Sequence, residues 1–199
     1  MPGLFVAFEG IDGSGKSTQA RRVAGERDAL FVFEPGDTPM GVDLRHWILE
    51  AVSTPMTPTT EALLLLADRS HHVHAVIEPA LASGRDVIAD RFYASTLAYQ
   101  GYGRGVDLGQ LRAATQLAIG DRRPDVTILI DLSPEVANER SARSSSDRIE
   151  SADLEFHDRV RQGYLELSRS EAGWTVIDGA RPRSEVDADI DERLAQLPW

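Results

Sequence analysis

The stretch that most constrains this chain is Gly10-Ile11-Asp12-Gly13-Ser14-Gly15-Lys16-Ser17, in which four residues separate the first glycine from a Gly-Lys-Ser triplet. It follows Gly3 to Glu9, an apolar β-prone run that reads as a buried parallel strand, and leads into a helical segment from about Lys16 to Glu26. The glycines let the backbone curl so that successive N–H groups face one point, with the positive end of a helix behind them. A strand, turn and helix in this order form a cradle for phosphate. Lys16 would bridge the β- and γ-phosphates of a nucleoside triphosphate, and the Ser17 hydroxyl would hold Mg²⁺. The donor site, with ATP as the expected phosphoryl donor, accordingly spans Gly10, Ile11, Asp12, Gly13, Ser14, Gly15, Lys16, Ser17 and Thr18. A merely structural glycine turn would not require this strand before it and this helix after it.

Composition narrows the partners of that cradle. Lys16 is the only lysine in 199 residues, and every other basic side chain is an arginine. Biased composition explains the arginines, but not the position of the one lysine. A guanine-reading Asn-Lys-x-Asp motif is therefore impossible, which excludes the GTPase class. The net charge of −11 opposes a polyanionic partner, so small phosphorylated ligands are expected and nucleic acid is not. No cysteine is present, which removes thiolate metal sites and nucleophiles and agrees with a reducing cytoplasm. No run approaches the roughly 18 apolar residues of a membrane span, so no membrane association is expected.

Four more strand-like runs follow the first: Leu30–Phe33, Asp86–Ala89, Val126–Ile130 and Trp174–Ile177. Helical patterns lie between them at about Thr59 to Ala82, Leu108 to Ile119, Pro134 to Ala142 and Ala152 to Ser168. Thr57-Pro58 and Ser133-Pro134 supply helix starts. This alternation predicts an α/β fold: a P-loop NTPase-like three-layer sandwich, with a five-stranded parallel sheet flanked by helices. The whole chain, 1–199, reads as one kinase-sized domain with a short lid at approximately 140–150, where Ser144-Ser145-Ser146 stands between Arg143 and Arg148. Asp90 closes the third strand and could orient Mg²⁺, while Arg91 follows at the carboxyl edge of the sheet, where open α/β proteins bind ligands. Ser95 with Tyr99, and Thr96 with Gln100, have the i,i+4 spacing of a shared helix face. His71, His72 and His74 read as a solvated helix face, and the three tryptophans as packing residues.

Taken together, Gly10 to Thr18, Glu34-Pro-Gly-Asp-Thr-Pro39 and Asp90-Arg-Phe-Tyr-Ala-Ser-Thr-Leu-Ala-Tyr-Gln100 resemble bacterial thymidylate kinases. Gly101-Tyr-Gly-Arg-Gly105, Asp121-Arg-Arg-Pro-Asp125 and Asp147-Arg-Ile-Glu150 continue the resemblance in order. It implies transfer of the ATP γ-phosphoryl to dTMP with Mg²⁺, in a fold that usually forms homodimers. Position by position, it implies that Asp12 meets the sugar 3′-hydroxyl and Arg91 holds the acceptor phosphate. Arg69 would contact thymine or phosphate, and Ser95 or Thr96 would read the base edge. Tyr99 and Gln100 would wall off a 2′-hydroxyl, and Glu34, Pro35 and Leu65 would complete the acceptor site. Because Gly13 stands where one group of the family has an arginine, the mobile catalytic arginines are expected in the lid, at Arg143 and Arg148. Arg140 would stack on adenine.

Three positions depart from the family pattern. Leu65 replaces a phenylalanine that stacks on thymine, Phe33 replaces an arginine, and Asp37 replaces a glycine. Phe33 and Phe92 are the aromatic candidates to replace the missing ring. The alternatives are a kinase for another nucleotide or deoxynucleoside, and an ATP-dependent switch with no acceptor.

Overall fold

The computed structural model describes residues 2–50, 56–141 and 152–197. Strands β1 (Phe5–Glu9), β2 (Leu30–Phe33), β3 (Val87–Asp90), β4 (Val126–Asp131) and β5 (Trp174–Asp178) form one parallel sheet in the order β2-β3-β1-β4-β5. Each falls on a run expected from the sequence. The order places β1 at the centre, with β3 and β4 on either side. The loop after β1 therefore leaves the sheet where the connections diverge in opposite directions, and such a point opens a crevice for ligand.

Side-chain alternation along β1 explains why both faces need cover. Phe5 and Ala7 enter a core with Leu129, Phe92 and Tyr164, whereas Val6 and Phe8 enter a second core with Ala20, Ile128 and Ile190. Helix α1 (Lys16–Glu26) has the expected bounds. Two helices not foreseen, α2 (Pro39–Arg45) and a five-residue π-helical turn after it (His46–Glu50), connect β2 to α3 (Pro58–His72). Threonine caps with proline at the first turn start both α-helices: Thr38 accepts from Gly41 N and Thr57 from Thr60 N. The helix expected over Thr59 to Ala82 is α3, a π-helical turn (Val73–Ile77) and α4 (Glu78–Ala82) in one continuous run.

After β3 a short helix α5 (Tyr93–Thr96) widens into a third π-helical segment (Leu97–Gly103). Helix α6 (Leu108–Ile119) keeps its expected bounds, capped by Asp107 accepting from Gln110 N at 2.8 Å. Helices α7 (Pro134–Ser141), α8 (Leu154–Ser170) and α9 (Arg183–Leu194) complete the layers; α9 was not expected. Its mixture of charges hides the buried stripe Val186, Ile190 and Leu194, which has i,i+4 spacing.

Among the described residues no helix is long and apolar enough to cross a membrane. The packing role expected for the tryptophans fails at Trp47, which is 53% exposed on the first π-helical turn. Trp174 is partly buried, and Trp199 lies outside the described residues.

Candidate active site

The phosphate loop is built by backbone constraints. Gly10 has a φ of 147°, and a Cβ there would stand 2.6 Å from the Ile130 carbonyl oxygen. Gly15 takes the N-cap position of α1 in the left-handed region and supplies no side-chain cap. The first-turn amides of α1 thus keep their donors for an incoming anion. Ser14 is buried, and its hydroxyl has no protein partner.

Lys16 is buried directly beneath this loop and donates to the Ile11 carbonyl oxygen at 3.4 Å and to Asp12 at 3.1 Å. The same Asp12 carboxylate accepts from Arg91 Nη2 and, at 2.8 Å, from the Tyr99 hydroxyl. One carboxylate therefore joins the only ammonium of the donor loop to the arginine at the end of β3. Burial works against ionising Asp12, but Arg91 and Lys16, aided by Tyr99, outweigh it and hold the carboxyl far below the usual range.

Arg91 is held at an unusual backbone position, with a φ of 73°. For a non-glycine residue this costs roughly 1–3 kcal/mol and persists only where the surroundings impose it. Its Nη1 donates to the Gly10 carbonyl at 3.2 Å, Ser95 Oγ at 3.0 Å and the Tyr164 hydroxyl at 3.2 Å, and its Nη2 reaches the Tyr99 hydroxyl at 3.1 Å. Ser95 and Tyr99 do meet at one place, although the helix widens to π form between them.

Beyond Arg91 lies a cleft bordered by Asp12, Glu34, Pro35, Arg69, Thr96 and Gln100, with Leu49 and Leu65 as its aliphatic wall. Neither aromatic candidate lines it. Phe92 is fully buried against Phe5, with ring centroids 4.9 Å apart, and Phe33 stacks on Phe31 instead. Leu49, from the first π-helical turn, was missed because nothing local in the sequence sets its position. Arg69 is only 2% exposed and donates to Glu34 at 2.6 Å and to Thr96 at 2.7 Å, so its guanidinium is rigidly placed at the cleft edge. Gln100 donates to Glu61 at 2.8 Å, and its buried carboxamide oxygen has no partner in the protein.

The histidine reading needs correction. His72 is 1% exposed, and its Nδ1 lies 2.9 Å from Glu34 while Nε2 lies 3.3 Å from Asp37. The two carboxylates come from the loop after β2, far away in sequence, so spacing along the helix could not show them. Burial opposes its protonation, but Asp37 and Glu34 prevail and raise its pKa from 6.5 to about 9. This contribution to stability is fully present below pH 6.5 and fades as pH rises through 9, reaching roughly 3 kcal/mol at most. Urea unfolding of wild type and His72→Gln should therefore differ most near pH 6 and converge above pH 9.5; a pH-independent gap would show that His72 is not held charged.

Glu9, at the end of β1, was also missed, although a lone carboxylate in an apolar strand was a usable signal. It is 1% exposed and accepts from Phe92 N at 2.8 Å, Ser95 N at 3.3 Å, Ser95 Oγ at 2.7 Å and the Tyr164 hydroxyl at 3.0 Å. Burial pushes its carboxyl above the usual range, and Ser95, Arg91, Phe92 and Tyr164 offset that only in part. The convergence of donors fits the carboxylate form.

On the donor side, Asp90 stands beside β1 in register with Phe8, and its Oδ1 is buried without a partner. A hard cation among phosphate oxygens would satisfy it, and the partly exposed Ser17 belongs to the adjoining loop. A second cleft runs past Ser14, Thr18 and Gln19 to Gly179 and Arg181. Arg140 borders it and donates to the Gly179 carbonyl at 3.0 Å. Arg143 and Arg148 lie outside the described residues.

A phosphate-binding loop at the centre of a parallel sheet, with an arginine-edged acceptor cleft opposite it, defines a P-loop kinase that passes a phosphoryl group between two small molecules. The family model for thymidylate kinase matches residues 8–190. The chain is 47% identical to the thymidylate kinase of Dinoroseobacter shibae over 201 residues, covering 97% of each chain, and 44% identical to that of Symbiobacterium thermophilum, covering 98% of this chain and 94% of that one. Its fold is similar to the crystal structure of thymidylate kinase from Ehrlichia chaffeensis, with a TM-score of 0.79, 30% identity, and 98% of this chain and 99% of that one covered. This chain belongs to the thymidylate kinase family.

Proposed function

We infer that the chain transfers the γ-phosphoryl of ATP to dTMP, giving dTDP and ADP. The observation that carries this is the junction at Asp12, where the Lys16 ammonium and the Arg91 guanidinium converge on one carboxylate between a donor loop and an acceptor cleft. Phosphate oxygens can replace that carboxylate between the two cations. Lys16 and the first-turn amides of α1 hold the donor phosphates, and Arg91 holds the acceptor phosphate, so the two reactants meet across Asp12. Once displaced, Asp12 is placed to accept from the sugar 3′-hydroxyl. Tyr99 closes the sugar side.

The base rests between Leu49 and Leu65, with Arg69 and Thr96 at its edge and the free oxygen of Gln100 offered to a ring N–H. Ser95 turns its hydroxyl to Arg91, which favours Thr96 over Ser95 as the base reader. Ser17 and Asp90 are the residues that would hold Mg²⁺, which supplies charge neutralisation on the phosphates when bound. Arg140 faces the cleft suited to adenine, and the lid, approximately 140–150, brings Arg143 and Arg148 to the developing charge. The chain works in the cytoplasm as a single kinase domain that pairs as a homodimer. Exposed apolar groups near one another in the sequence, among them Met40, Val42, Trp47 and Leu63, support the pairing.

A panel of nucleoside monophosphates and deoxynucleosides, each with ATP and Mg²⁺ in a coupled ADP-release assay, tests the assignment. dTMP should give a kcat/KM at least about tenfold above the other acceptors, as expected from one or two well-placed polar contacts. Stoichiometric ATP binding with no acceptor-dependent ADP would favour a switch instead.

A further inference from the structure

Glu9 does none of the work assigned above, yet it is the most completely surrounded carboxylate of the site. Its Oε1 accepts from the backbone N–H groups of Phe92 and Ser95, which follow the tight turn made by Arg91 with its φ of 73°. Its Oε2 accepts from the hydroxyls of Ser95 and Tyr164, at 2.7 and 3.0 Å. Those same two oxygens receive Arg91 Nη1, at 3.0 and 3.2 Å. They lie 2.8 Å from each other.

We propose that Glu9 is a positioning residue for acceptor binding, acting through the hydroxyls of Ser95 and Tyr164 to fix the polarity and direction of Arg91. An arginine can only donate, so each oxygen beneath it must offer a lone pair. A carboxylate draws both hydroxyl protons toward itself and leaves those lone pairs facing the guanidinium. Glutamine at the same place would keep one oxygen for the two backbone amides but direct an NH₂ at the hydroxyls. They would then accept from it and turn their protons toward Arg91, against a group that has no lone pair to receive them. The sequence makes this arrangement by placing the carboxylate at the last position of β1, one residue before the phosphate loop. The strand that starts the donor loop thereby also aligns the acceptor arginine.

The inference rests on Arg91 holding the acceptor phosphate, and the test separates the two. Steady-state kinetics on the full chain, with ATP and dTMP varied in turn, would compare wild type with Arg91→Ala, Glu9→Gln and a Ser95→Ala/Tyr164→Phe double variant. Circular dichroism would check folding. Glu9→Gln should raise the KM for dTMP about tenfold or more while the KM for ATP stays within about twofold. Added to the double variant, which lacks both hydroxyls, Glu9→Gln should raise the dTMP KM by less than about threefold. A purely structural role would perturb both substrates and add to the double variant in full; either result overturns the proposal. A large effect of Arg91→Ala on dTMP with none from Glu9→Gln overturns it and leaves the Arg91 role standing. An unchanged dTMP KM in Arg91→Ala removes that role and the proposal with it. If Glu9→Gln does not fold, the double variant decides alone, because it keeps Glu9 and its backbone contacts: a tenfold rise in dTMP KM supports the relay, and an unchanged value overturns it.

Discussion

Replacing Lys16 with alanine should lower kcat for dTMP phosphorylation by about 100- to 1,000-fold, the loss expected when one preorganised donor to a developing charge is removed. The chain has no second lysine to take its place. Two of the arginines near the loop are already paired, Arg91 with Asp12 and Arg161 with Asp131, the latter at 2.7 Å. The fold should survive, because Asp12 keeps its bonds to Arg91 and Tyr99 when the ammonium is gone. Stopped single-turnover assays, with thermal unfolding measured alongside, would check both statements. A kcat within tenfold of wild type would remove Lys16 from the chemistry.

Replacing Arg91 with alanine should raise the KM for dTMP by about 100-fold or more, since a charge-assisted contact to phosphate is lost from a desolvated place. ATP affinity should change little. Lysine is a poor substitute, because a point ammonium cannot serve Gly10, Ser95, Tyr164 and Tyr99 together as the two terminal nitrogens do. The same substitution takes away the first of the two charges that hold Asp12 ionised, so the Asp12 carboxyl should titrate closer to the ordinary range. Carboxylate chemical shifts of Asp12 followed through a pH titration would show that rise. Equal loss of ATP and dTMP affinity would instead mark Arg91 as a residue that merely holds the loop together.

These two residues also show how unevenly the site could be read. Lys16 was legible from a local pattern, because a phosphate loop is fixed by neighbouring glycines and one following helix. Asp90 and Arg91 were legible from their place at the end of a strand. The two buried carboxylates beside that arginine and its cleft were not: Glu9 and Glu61 accept from Tyr164 and Gln100, partners 155 and 39 residues away in the sequence. The histidines failed for the same reason. His72 looked like one of three solvated imidazoles on a helix until the loop carrying Glu34 and Asp37 folded against it. Leu49 and the π-helical widening at Leu97–Gly103 have no periodic signature, since a single extra residue per turn is set by packing.

By itself the sequence determined the five strands, their parallel arrangement, the phosphate loop and the single ammonium beneath it. Those follow from short-range rules: apolar runs, glycine torsions and helix starts. Only the tertiary structure decided that Asp12 would bind Lys16 and Arg91 together, that the cleft beyond Arg91 would be walled by leucines, and that Glu9 would stand under that arginine. A hydrogen bond across the sheet depends on which strands become neighbours, and the order β2-β3-β1-β4-β5 brings β3 beside β1 although 77 residues lie between Glu9 and Val87.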